Sequence, residues 1–250
     1  MHNIYKSIKY FSIFILILPI KVFSFENEKI NFGKFSLNKY EVTIMEFNNY
    51  TIKNEVITEA EKNGGGYEWG AGWVKRDNWN FKKPYGKKPD SELEPAVHLS
   101  RFEVENYCKF INGRLPTFEE WSYAAYTQIF DSDKFIKDKT YRYPSGDIAK
   151  EMNSQGLLNY DKHVDVTILP EGVNGLVAMG GNVWEWVDDQ EKNNSLTAGA
   201  SWCMEVQRPV LMELNINPRT FMQSMLVLDV HLIIKNYKIL FKIFSFNKNL

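Results

Sequence analysis

Residues 95–125 read PAVHLSRFEVENYCKFINGRLPTFEEWSYAA, and two spacings inside this stretch decide how the chain folds. Ser100 is followed three residues later by Glu103, and Thr117 by Glu120. A hydroxyl and a carboxylate so spaced can cap the first turn of a helix reciprocally. After Ser100, the residues Val104, Tyr107, Cys108 and Ile111 fall at helical spacing and mark one buried face, which makes Cys108 a packed core residue. After Thr117, Trp121, Ala124 and Ala125 repeat the pattern. Gly113 is placed to stop the first helix. The stretch therefore predicts two short helices joined by Arg114-Leu115-Pro116, and Thr43 with Glu46 predicts a third helix by the same grammar.

Away from these helices the sequence turns irregular. GGGYEWGAGW, from Gly64 to Trp73, shows no alternation, and a short strand is expected around Val166 to Ile168. Such a chain cannot rely on a large sheet, so the expected fold class is a compact α+β domain rich in coil. At 250 residues there is room for one substantial core, and no repeat or interdomain linker divides the chain. The net charge of -1 comes from interspersed lysines and acids, which gives no basis for nucleic-acid binding. Seven Trp, 13 Tyr and 17 Phe are a heavy aromatic load, usable for a core or for stacking on sugars and peptides.

At the other end, Lys6 and Lys9 precede an apolar stretch from Tyr10 to Ile20, then Val22-Phe23-Ser24 as a processing site. Residues 1–24 read as a secretory signal peptide, with an uncleaved anchor as the alternative. The apolar stretch falls short of the roughly 20 residues a span needs, so no stable membrane span is expected after cleavage. The expected location is periplasmic or secreted, an oxidising compartment in which Cys108 and Cys203 could in principle pair. The core position of Cys108 argues against it.

Several segments, taken in order, resemble the formylglycine-generating-enzyme or sulfatase-modifying-factor family. They are EVTIMEFNNY (Glu41 to Tyr50), TEAEKNGGGYEWGAGWVK (Thr58 to Lys75), the stretch quoted above, YPSGD (Tyr143 to Asp147), NGLVAMGGNVWEWVDD (Asn174 to Asp189) and GASW (Gly199 to Trp202). The resemblance covers residues 32–202 and implies an irregular, C-type-lectin-like fold. Members of the family include copper-dependent oxidases of sulfatase cysteines, iron-dependent sulfoxide synthases and non-enzymatic binding modules.

The resemblance implies particular ligands. In GGNVWEW the family binds calcium, and the matching positions are the Gly181 and Val183 carbonyls and the Glu185 carboxylate. Ala178 stands where the family has Asn or Asp, which removes an oxygen; the alternative is that Glu185 only braces the turn. A second calcium site would begin at Asn153 with Ser154 as a carbonyl donor, but its later carboxylate has no clear counterpart around Asn159 to Asp161. His98 reads as a hydrogen-bonded core histidine, and no H-x-x-x-H-x-E segment for iron is present. Arg114, Glu119 and Glu120 read as capping and ion-pairing residues. Copper needs two converging thiolates. The family's two cysteine positions after Ser201 are occupied here by Met204 and Pro209, with Cys203 one residue early, so copper and a catalytic residue set are not expected. The implied function is an exported, non-catalytic binding or accessory module, or its decayed remnant, taking a peptide, protein or glycan. The competing reading is a formylglycine-generating oxidase acting on sulfatase cysteines.

After Trp202 the resemblance breaks, and residues 203–250 read as an aberrant tail that leaves the C-terminal strand missing. Back-translating Thr220 to His231 and reading from the last base of each codon yields Phe-Tyr-Ala-Val-Tyr-Val-Gly-Phe-Arg-Cys-Ala, the family's own ending. Restoring one G near the Trp202 codon would give Ser-Trp-Trp-Tyr-Gly-Ser, with Tyr at the first cysteine position. A genuinely divergent tail is the alternative. Losing a terminal strand should exceed the usual stability margin of about 5–15 kcal/mol. LVLDVHLII (226–234) and ILFKIFSF (239–246) fit the profile of aggregation-prone segments, so poor solubility and a weak thermal transition are expected. Sequencing the gene across the Ser201 to Met204 codons should reveal a run such as TGGTGT in which one added G restores the family frame; codons incompatible with that frame overturn the frameshift.

Overall fold

The structure is a computed structural model that describes residues 25–69, 73–154, 157–158, 160–188, 195–203, 212–214 and 226–227. The leader expected over residues 1–24, Met204, Pro209 and nearly all of the tail lie outside the described residues. The elements run β1 (Lys29–Asn31), β2 (Ser36–Asn38), α1 (Ile44–Lys53), α2 (Glu59–Lys62), β3 (Gly65–Trp69), β4 (Trp73–Asp77), α3 (Arg101–Phe110), α4 (Phe118–Tyr126), β5 (Trp184–Val187), β6 (Ser195–Ala198), β7 (Met212–Leu214) and β8 (Leu226–Val227). β1 pairs with β2 and β3 with β4 as isolated ladders, while the remaining strands form one sheet in the order β7-β6-β5-β8. The architecture is α+β with short elements and much coil.

Each helix begins as its sequence dictates. Thr43, Ser100 and Thr117 cap α1, α3 and α4 through reciprocal bonds to Glu46, Glu103 and Glu120. A fourth box, Thr58 with Glu61, starts α2. Glu103 does more than cap its own helix, because its second oxygen accepts the backbone N–H of Glu59 at 2.7 Å and so ties the start of α2 to the start of α3. Gly113 is not the residue that turns the chain at the end of α3. Asn112 takes the left-handed conformation, at φ 58°, and the Gly113 N–H returns to the Cys108 carbonyl at 2.7 Å. Asparagine tolerates this conformation, so glycine was not needed there.

Three expectations fail locally. Val166–Ile168 forms a 3-10 turn rather than a strand, because the Asp165 side chain accepts the Thr167 N–H at 2.8 Å and holds the turn closed. Local side-chain bonding of this kind outcompetes the β preference of Val and Ile. The glycine-rich stretch, expected to be irregular, forms β3 and the start of β4. Gly65 lets β3 close on β4, and Gly66 lets β3 lie against His98: a Cβ on Gly65 would strike the Arg76 carbonyl, and one on Gly66 would strike the His98 ring. The tail, expected to leave the sheet without its final strand, contributes β7 beside β6 and β8 parallel to β5. Ladder bonds are made by main chain, so strand pairing does not require the family's side chains.

β5 separates two apolar clusters. Trp184 and Trp186 both enter the cluster of Phe47, Phe81, Val104 and Tyr107, whereas Val187 joins Leu37, Trp121, Leu176 and Ala198 on the other side. Glu185 shares that second side and accepts the Trp121 indole N–H. The alternation is the two-residue period of a strand. Cys108 is buried in the first cluster, as its spacing predicts.

The loop that feeds β5 is fixed by Asn182. Its backbone N–H donates to Asn153 O at 2.6 Å and its carbonyl accepts the Trp202 N–H at 3.0 Å. Its amide oxygen accepts from Val164 N and Asn153 Nδ2, both at 2.9 Å, and its amide nitrogen donates to Glu41 Oε2 at 2.6 Å and to Val164 O at 3.2 Å. The donors and acceptors fix which way the amide points. Asn182 is buried, so deleting its side chain strands several partners, each costing about 1–3 kcal/mol. Asn182→Ala should lower the thermal midpoint by at least several degrees, measured by circular dichroism, while Asn80→Ala, at a half-exposed turn, should shift it by little.

Candidate functional site

Of the residues expected at the two calcium sites, Asn153 lies against the Gly181–Val183 turn: a Cβ on Gly181 would lie 2.6 Å from the Asn153 carbonyl, and Asn153 and Ser154 are both buried. Their oxygens, however, are largely taken by the protein. Gly181 O accepts the Val183 N–H at 2.8 Å, Ser154 O accepts the Leu157 N–H at 3.1 Å, and Asn153 O accepts from Asn182. Glu185, 1% exposed, receives the Trp121 indole N–H. Ala178 lies at φ 69° and offers no side-chain oxygen. Asn153 Oδ1 and Glu185 Oε1 are both buried and accept no hydrogen bond among the described residues, while Glu185 Oε2 holds the Trp121 indole. Calcium takes six to eight oxygens, and Ala178 contributes none from its side chain. The loop is braced by the Asn182 bonds and the Glu185–Trp121 contact. Asn159, in the span searched for a second-site carboxylate, lies outside the described residues.

A second constellation gathers where the chain approaches Ser201. The segment after β4 brings Trp79 and Tyr85 together, with ring centroids 5.4 Å apart. Tyr85 stacks on His163 at 4.9 Å and meets Trp202 edge-on at 6.5 Å, while Trp79 meets His98 at 5.7 Å. Gly86, at φ 72°, leaves room for the Trp79 indole, since a Cβ there would come within 3.0 Å of its nitrogen. Nearer the tip of the hairpin, Trp69 and Trp73 pack edge-on at 4.9 Å, and Trp69 is largely exposed. Ser201 Oγ and Cys203 Sγ lie 3.4 Å apart at the edge of this wall.

Behind the wall runs a buried polar relay. Glu94 accepts the backbone N–H groups of Asp90 and Ser91 on one oxygen, and the other lies 3.1 Å from His163 Nε2. An acceptor carboxylate makes that nitrogen the donor, so Nδ1 accepts from the Tyr85 hydroxyl at 2.9 Å. Burial pushes Glu94 up, but its bonds to His163, Ser91 and Asp90 outweigh that and hold it below the usual carboxylate range. Burial lowers His163 against the opposing pull of Glu94. The thiols of Cys203 and Cys108 are both pushed up by burial, away from the reactive thiolate. His98, expected as a hydrogen-bonded core residue, contacts the Pro84 carbonyl through Nε2 at 2.8 Å. Arg114 and Glu120 pair through two parallel bonds at 2.8 and 2.9 Å, and Glu120 caps α4, as expected. The aromatic wall and the relay were not singled out from sequence, because Trp79, Tyr85, Glu94 and His163 carry no common spacing.

The model of the sulfatase-modifying factor enzyme 1-like domain matches residues 22–222. Among curated proteins, the formylglycine-generating enzyme of Mus musculus is 26% identical over 191 residues, covering 64% of this chain and 50% of its own length. The inactive C-alpha-formylglycine-generating enzyme 2 of Bos taurus is 31% identical over 143 residues, covering 52% and 46%. The chain thus spans about half the length of these relatives. Of solved structures, CarF superposes with a TM-score of 0.53 at 18% identity, covering 78% of this chain and 84% of its own. PvdO from Pseudomonas aeruginosa gives 0.52 at 17% identity and 78% of both chains. These two show the same fold.

Burial holds His98 at a pKa of about 3, far below its ordinary value. The folded protein therefore binds one proton fewer than the unfolded chain between about pH 6.5 and 3, and stability is lost as pH falls through that window by about 1.4 kcal/mol per unit. Urea unfolding at pH 7, 6 and 5 should show the advantage of the native chain over His98→Gln shrinking with acidification. Parallel pH profiles would contradict this assignment.

Proposed function

The chain belongs to the sulfatase-modifying factor enzyme 1-like family, and from that premise we propose that it is an exported, non-catalytic member that binds a peptide or glycan on the aromatic wall beside Ser201. The observation that carries this reading is the thiol arrangement. Cys203 is half-buried next to Ser201, and the chain's other cysteine, Cys108, is packed into α3 with its thiol pushed up. Two converging thiolates are what a soft copper ion requires, and a single protonated thiol does not supply them. A relative described as an inactive C-alpha-formylglycine-generating enzyme 2 supports the same reading. What the wall offers instead is stacking area: Trp73, Trp79, Tyr85 and Trp202 combine apolar faces with polar edges, the chemistry of recognition surfaces.

Export rests on the charged and apolar pattern of residues 1–24. Among the described residues no helix is long and apolar enough to cross a membrane. The shifted frame after Trp202 belongs to the same proposal, with Tyr rather than Cys restored at the first thiol position.

Incubating the full chain with copper and a cysteine-containing sulfatase peptide, then trapping carbonyls with a hydrazide, should yield no aldehyde above the copper-only control. Aldehyde formation that depends on the protein and is lost in Cys203→Ser would overturn the non-catalytic reading in favour of the oxidase.

A further inference from the structure

A cavity of about 640 Å³ opens on the outer face of α4, lined by Ser122, Tyr123, Tyr126, Thr127, Thr140, Tyr141, Arg142 and Asp147. None of these residues belongs to the wall beside Ser201. We propose that this cavity is a carbohydrate-binding site that takes a hexopyranose unit of a glycan against Tyr123.

The geometry of α4 creates the platform. Tyr123 and Tyr126 follow Ser122 on successive positions of one exposed flank, and Tyr126 is anchored edge-on to Trp121 at 5.9 Å. Tyr123 leans edge-on against Phe32 at 6.5 Å and stays 44% exposed. A supported ring with an open face is what the apolar C–H face of a pyranose stacks on. The opposite rim comes from residues 139–142, which are laced to the end of α4: Gln128 N donates to Lys139 O at 3.0 Å and Tyr141 N to Tyr126 O at 2.8 Å. Rim and platform are therefore rigid with respect to each other.

The rim carries hydroxyls and charges suited to a polyol. Thr127 and Thr140 share one hydrogen bond at 3.0 Å between their exposed hydroxyls, which leaves one O–H donor and several lone pairs for a ligand. Asp147 can accept from a sugar hydroxyl on the oxygen not engaged by Lys139, and Arg142 supplies donors on the same rim. Ser122 Oγ is sequestered without a hydrogen-bond partner, and a turn about χ1 would bring it into the cavity to gain one.

Other ligand classes fit less well. A peptide adding as a strand needs an open ladder edge, and the backbone of 126–128 and 139–141 is already paired across the cavity. A phosphate would have Arg142 as its one cation on the rim, since Lys139 is matched by Asp147, and the Asp147 carboxylate would oppose it. An apolar ligand would strand the hydroxyls and charges around the rings. The volume lies within the range of about 300–1,000 Å³ typical of small-ligand sites.

The test is saturation-transfer NMR and calorimetry of the full chain with cellotetraose, N-acetylchitotetraose and maltotetraose. At least one should bind, with transfer strongest at ring C–H protons, and Tyr123→Ala should weaken it at least tenfold while leaving the circular-dichroism spectrum and melt unchanged. Asp147→Asn should weaken it less, with Ile52→Ala as a neutral control and Trp73→Ala reporting any binding at the wall. No binding by any of the three, or binding lost in Trp73→Ala and kept in Tyr123→Ala, overturns the proposal. Capture of a tetrapeptide by the same cavity in place of the sugars would overturn it as well. These outcomes are read independently of the aldehyde assay, so one proposal can fail while the other stands.

Discussion

Six hydrogen bonds meet at one buried asparagine, and the irregular half of the fold depends on them. Asn182 binds Glu41 near the start of α1, Asn153 and Val164 in the coil, and Trp202 beyond β6. A domain made of short elements has few ladders with which to satisfy buried main chain. One residue that serves four segments, through its side-chain amide and its main chain, supplies what a larger sheet would otherwise provide. Because it sits two residues before β5, it also sets the register in which Trp184 and Trp186 enter one cluster while Glu185 and Val187 enter the other.

The same brace runs past the positions at which the family's calcium donors stand. The carbonyls of Asn153, Ser154 and Gly181 turn toward N–H groups of the protein, and Glu185 toward an indole. That indole holds Glu185 Oε2, while Oε1 stays buried and accepts no hydrogen bond among the described residues.

The parts of the fold legible in sequence were the parts governed by near neighbours. Thr43, Ser100 and Thr117 announced their helices because a cap and its carboxylate lie three residues apart, and Cys108 announced its burial by its place on a helix face. Thr58 and Glu61 use the same device but escaped notice, because α2 has no apolar run after its cap. Val166 to Ile168 misled because β-branched residues favour strands while Asp165 closes a turn on them. The hairpin at Gly65 and the wall of Trp79, Tyr85, His163 and Trp202 were illegible for a different reason. Gly66 lies against His98, and Tyr85 against His163 and Trp202, partners tens of residues away, and the glycines that permit the approach carry no hydrophobic pattern.

The reach of Asn182 along the chain also bears on the order of assembly. Its partners extend from Glu41 to Trp202, so the knot cannot close until nearly the whole domain is available. α1, α3 and α4 each carry their own caps and can form early from local contacts. A chain emerging N-terminus first would present capped helices around an unfinished centre, its non-local bonds forming last because loop closure must precede them. During vectorial synthesis, the apolar faces of α1 and α3 that wait for Trp184 and Trp186 would then be the surface on which a chaperone has longest to act.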